Sequence, residues 1–155
     1  MNRYRGVAQL VDQQVISPTQ YTLFMEILSF NRSNSIDGYQ VYFSQWEEKL
    51  NAYSSIDETE KIPLYCMLSV GKDSATYWLD QLANIGSSDW SQWLVSPDHG
   101  KEVGIKWWQG DAAGAFVGAV VGSSVPGVGT CAGAVTGAVC GSASVILTNC
   151  LNSLF

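Results

Sequence analysis

The sequence predicts an all-α protein, a helical bundle of about five helices that ends in a glycine-zipper helical hairpin. Three observations carry this reading. Apolar residues in the first part of the chain recur at three- and four-residue steps, the spacing of a helix with one buried face. Near the C-terminus, glycine occupies every fourth position in two successive runs. Charge also stops abruptly: every Asp, Glu, Lys and Arg lies at or before Asp111. The chain therefore divides into an aromatic-rich amphipathic helical region, residues 1–104, and a glycine-zipper hairpin packed on it, residues 105–155.

The first predicted helix covers residues 17–30. Ser17 is placed to cap it, Pro18 suits the first turn, and Gln20 stands at the capping-box position. Tyr21, Phe24, Ile27 and Leu28 follow at helical spacing. The polar run 31–35 breaks the pattern. Residues 35–53 form the second helix, with a stripe of Ile36, Tyr39, Phe43, Trp46, Leu50 and Tyr53 that keeps Glu47, Glu48 and Lys49 to one side. Its polar face is not basic, so the stripe is read as core rather than as a membrane-surface seat. The third helix covers residues 55–85, with Ser55 and Glu58 at capping-box spacing and Pro63 either kinking it or marking its first turn. Gly71 and Ala75 in its apolar face call for another helix crossing closely there. Residues 89–100, with Trp90, Trp93, Pro97 and His99, read as a helical turn and a loop.

The C-terminal pattern is the most specific. Gly110, Gly114, Gly118 and Gly122 form one ladder, and Gly129, Gly133, Gly137 and Gly141 a second. Pro126 and Gly127 between them supply a turn. Glycine costs a helix up to about 1 kcal/mol relative to alanine, so eight of them need a return. Period four aligns them on one face, where a second backbone can approach and recover the energy in close contact. An antiparallel hairpin with the two grooves facing is the simplest product. The second arm, roughly 127–148, is long enough to span a bilayer. The first, 112–125, reaches only about 21 Å at the rise of an α-helix. Insertion is therefore expected to be conditional, with Lys106, Trp107 and Trp108 as an interfacial collar.

The run from Gly110 to Gly122, then Val125-Pro126-Gly127 and the second ladder, resembles the glycine-zipper tails of bacteriocin-like peptides and small secreted bacterial proteins. It is similar, more loosely, to the apolar hairpin of channel-forming colicins. The resemblance covers the last third of the chain. It implies a membrane-active toxin or effector whose hairpin inserts into a target membrane. The alternative is a non-enzymatic interaction module, in which the hairpin is a packing core and the aromatic helices bind a protein partner. Expected partners are a membrane, a second copy through the glycine faces, or an immunity or chaperone protein. The expected location is secreted or membrane-associated, although no signal peptide is visible at Met1–Gly6.

Composition excludes other classes. A net charge of −6, with eight basic residues scattered among 14 acids, does not suit nucleic acid or anionic lipid. Any membrane affinity has to come from apolar surface. The chain is expected not to be an enzyme and to need no cofactor or metal. His99 is its single histidine. Residues 127–132 match a dinucleotide fingerprint formally, but no acid follows to hold a ribose. Gly71-Lys72-Asp73-Ser74 echoes a phosphate loop, yet Cys66 stands where its first glycine belongs. Cys66, Cys131, Cys140 and Cys150 match no metal spacing. On one straight helix Cys131 and Cys140 stand about 13 Å apart on opposite faces and cannot pair, whereas Cys66 can pair with one of the other three. Most of the four are expected to be small buried hydrophobes.

Overall fold

The computed structural model describes residues 5–30, 35–87, 100–123 and 129–152, with side chains for these except 5, 85, 100–106 and 142–152. They form six α-helices: α1 (Arg5–Asp12), α2 (Pro18–Leu28), α3 (Ile36–Ala52), α4 (Glu58–Ala83), α5 (Gly100–Gly122) and α6 (Gly129–Asn152). A 3₁₀ turn at Ile85–Ser87 follows α4, and no strand occurs among the described residues. The fold is the all-α bundle that the sequence predicts. The boundary at 104/105 falls inside α5.

Local sequence sets most helix starts. Ser17 and Gln20 exchange the two hydrogen bonds of a capping box, Gln20 N–H to Ser17 Oγ at 3.1 Å and Ser17 N–H to Gln20 Oε1 at 2.9 Å. Ser35 caps α3 by accepting from Gly38 N–H at 3.2 Å. The start of α4 lies two residues beyond the predicted cap. Asp57 and Glu60, not Ser55 and Glu58, form the capping box. Asp57 accepts from Glu60 N–H at 2.8 Å, and its own N–H donates to Glu60 Oε2 at 3.1 Å. The Thr59 hydroxyl first, then the Glu60 amide, hold the Asp57 carboxyl below the usual carboxylate range. Pro63 sits inside α4 and is buried, so the helix runs through it. Short α1 has no predicted counterpart. It ends where Gln14 adopts a left-handed backbone (φ 57°), which turns the chain so that Val15 N–H reaches back to Leu10 O at 2.9 Å.

The apolar stripes converge on one core. Phe24, Ile27, Tyr39, Phe43, Leu64, Met67, Leu68, Trp108 and Phe116 are almost wholly buried. Their rings meet at angles typical of aromatic pairs. Phe43 and Trp108 stand edge to face with centroids 5.4 Å apart, and Phe24 and Phe116 lie 4.8 Å apart. Helix α5 is the hinge of the architecture: it packs on α4 along one side and on α6 along another, while α6 reaches α4 over a short stretch only. The close crossing expected at Gly71 is present, since a Cβ there would meet the Phe43 ring at 2.9 Å and the Ala112 methyl at 3.3 Å.

Candidate functional site

The two glycine ladders meet one to one. Gly114 faces Gly137, Gly118 faces Gly133, Gly122 faces Gly129, and Gly110 faces Gly141. The register is antiparallel and constant across all four pairs. A Cβ built on Gly114 or Gly118 would lie 2.7 Å from the carbonyl carbon of its partner and nearer still to the oxygen. Backbone therefore rests on backbone, with no side chain between. Each glycine CH₂ points at a carbonyl oxygen, the arrangement of a Cα–H···O contact, worth about 0.5–1 kcal/mol apiece. At the end of the pair, Ser123 Oγ donates to Ala119 O at 2.7 Å and lies 3.0 Å from Thr130 Oγ1, whose proton completes the bridge. Pro126 and Gly127, the predicted turn, lie outside the described residues, as do Trp90, Trp93, Pro97 and His99.

A second face of α5 is committed to the bundle. Trp108, Ala112 and Phe116 stack on its inner face and enter the aromatic core. Trp107 packs on Trp78 with centroids 3.9 Å apart. These tryptophans form no collar at a water interface: Trp107 and Trp108 are 3% and 1% exposed, because the face that carries them turns onto α3 and α4. The side chain of Lys106 lies outside the described residues. Asp111, the last charge in the chain, is only 7% exposed. Its carboxylate accepts from Ser74 Oγ at 2.5 Å and from Trp78 Nε1 at 3.4 Å, so α4 supplies the partners that a buried charge needs. Gln109 Nε2 donates to Leu28 O at 2.8 Å and satisfies a carbonyl left open at the end of α2.

The outer side of α6 contrasts with all this. Cys131, Ala132, Val135, Thr136, Val139 and Cys140 are exposed, with Val135 and Val139 at 64% and 65%. Cys131 and Cys140 are thus surface thiols rather than the buried hydrophobes expected, and Cys66 is half-buried. Among the described residues no helix is long and apolar enough to cross a membrane. The second arm expected over 127–148 falls partly outside the described residues: α6 covers 129–152, but residues 127 and 128 and the side chains of 142–148 are not described. Beside the start of α6, a cleft of about 780 Å³ opens between the α1–α2 turn and the first turn of α4, lined by Val15, Ile62, Gln14, Thr59, Ser123 and Thr130 among others. Among the described residues no cluster of His, Cys, Asp and Glu is placed to hold a metal ion. Compared with known proteins, the chain matches no family model, no curated protein and no solved structure.

Proposed function

We propose that the chain is a non-enzymatic, membrane-active protein of the bacteriocin-like kind, with α6 as its lipid-facing element. One observation carries the reading: the exposed side of α6 is apolar or uncharged along its described length, in a chain with no charge after Asp111. Surface of this kind is costly to leave in water unless something else covers it. It also lacks the aromatic and arginine anchors that dominate protein–protein hot spots.

Energetics decide which element moves. Freeing α5 exposes Trp107, Trp108 and Phe116 at about 1.5–3 kcal/mol for each large apolar side chain. That sum approaches the roughly 5–15 kcal/mol that holds a whole domain folded. The half of α6 with described side chains, 129–141, is held by the glycine pairs and the small alanine cluster beside them. Membrane contact therefore begins at α6, with its valine face seated at the lipid boundary and α5 still in the bundle. Net negative charge makes neutral lipid the favoured surface.

The test is dye leakage from, and co-flotation with, phosphatidylcholine vesicles by the full chain and by a Val135→Lys/Val139→Lys variant. Both substitutions sit on exposed helix and leave helical content unchanged. Leakage by the native chain and its loss in the variant support the reading; equal leakage by both sinks it. A second reading has its own observation. The glycine rows already face one another, so within one chain the zipper is core and not an open surface. On that reading the protein is an interaction module whose uncharged face meets an immunity or chaperone protein, and neither form binds vesicles.

A further inference from the structure

The geometry points to a modification site: a disulfide between Cys66 of α4 and Cys131 of α6 that fastens the first turn of α6 to the bundle. The register of three helices leads to it. Helix α4 runs antiparallel to α5, with Trp78 on Trp107, Ser74 on Asp111 and Gly71 beside Ala112. Continued toward the start of α4, the same register sets Cys66 at the level of Ala119. The structure shows this directly, because Cys66 and Val70 pack against a small cluster of Ala115, Ala119 and Ala134. The glycine register places Gly118 against Gly133, so the same level on α6 falls at the start of its second turn. Cys131 lies three residues before Ala134 and seven before Ala138, and positions at those intervals share one helix face. Ala134 belongs to the cluster that Cys66 packs against, and Ala138 packs against the same cluster. That register sets Cys131 on the edge of α6 beside the α4 face that carries Cys66. Cys140 stands on the other side of α6, two and a half turns away, and has no such route to Cys66.

Their environments set the order of events. Cys131 is exposed and Cys66 half-buried. Burial, reinforced by the neighbouring Cys131, pushes the Cys66 thiol up, so solvent exposure makes Cys131 the thiol that an oxidant meets first. With a low-molecular-weight disulfide as oxidant, the Cys131 thiolate attacks one sulfur of that disulfide and expels one thiol. The Cys66 thiolate then attacks Cys131 Sγ and expels the second. Two protein thiols lose two protons and two electrons, and the oxidant is reduced to two thiols. The bond closes a long loop of chain and pins the first turn of α6 to α4.

This site stands independently of the membrane reading, although on that reading the bond would keep α6 closed. The experiment exposes the folded full chain to oxidised glutathione, alkylates remaining thiols and maps the disulfides by mass spectrometry. The expected result is a monomer with Cys66 linked to Cys131, reversed by dithiothreitol. In a Cys140→Ser/Cys150→Ser background, oxidation should lower the unfolding equilibrium constant by roughly two to three orders of magnitude. That gain should vanish with Cys66→Ser or Cys131→Ser. Cys66 left fully alkylatable in the oxidised native chain, or Cys131 recovered only in disulfides between chains, would overturn the assignment. Vesicle leakage by the reduced chain is a separate readout and fails or succeeds on its own.

Discussion

Two regions of this molecule solve the same problem in opposite ways. Between α2, α3, α4 and the inner face of α5, helices are held apart by large rings and held together by the area those rings bury. Between α5 and α6 the glycine rows bring the backbones themselves into touch, with only small side chains such as Ala115, Ala119 and Ala134 beside the line of contact. Helix α5 takes part in both, presenting Trp108, Ala112 and Phe116 to the core shared by α2, α3 and α4, and Gly110, Gly114, Gly118 and Gly122 to α6. The difference teaches what each contact tolerates. A ring core suffers when atoms are removed. A glycine groove suffers when atoms are added, because a backbone carbonyl cannot rotate out of the way.

Substitutions that remove or add atoms on each side sharpen this contrast. The largest expected effect is Phe116→Ala, which leaves a cavity beside Phe24 and should cost about 3–5 kcal/mol by urea unfolding. Gly71→Ala is intermediate. Its methyl group meets the ring of Phe43, a side chain that can shift, and Ala112. Overpacking of about 1–3 kcal/mol is partly offset by helix propensity, for a net loss of about 1 kcal/mol. Alkali should loosen the ring core and spare the zipper. Tyr42 donates its hydroxyl to Ile27 O at 2.8 Å, and burial raises its pKa to about 12. A raised folded value stabilises below the unfolded value of about 10, and that contribution is lost as pH climbs through 12. Amide exchange in α2 and α3 should quicken over that window, and Tyr42→Phe should reduce the dependence to the part contributed by Tyr39, whose hydroxyl burial also pushes up. The smallest effect is Gly6→Ala. An added Cβ there meets nothing, so the change should stabilise by about 0.5 kcal/mol, read as a shifted urea midpoint.

What could be read from the sequence divides along the same line. Features written in neighbouring residues were legible: the Ser17–Gln20 capping box, the stripe of α3, and glycine rows whose period allows only a shared face. The start of α4 was misplaced by two residues because two capping patterns overlap and only the carboxylate of Asp57 won the amide of Glu60. Helix α1 sets Val7, Leu10 and Val11 at helical spacing, but its eight residues hold one turn of that pattern and no acidic residue in the first turn to mark a start. Features that depend on what covers a residue were not legible. Trp107 and Trp108 precede an uncharged segment as an interfacial pair would, yet α3 and α4 bury them. Asp111 looks like the edge of the charged region and is instead an internal hydrogen-bond acceptor for α4. Cys131 and Cys140 look like small core residues, and only the register of α6 turns them outward.

The sign of one stability change reports most directly on whether backbones touch along the glycine rows. Gly118→Ala adds a methyl group where the Gly133 carbonyl already sits. Urea unfolding of the full chain should then show a loss of about 1–3 kcal/mol despite alanine's better helix propensity. A helix whose glycines face open space would instead gain up to about 1 kcal/mol from the same substitution, and that result would contradict the packing of α5 on α6 described above.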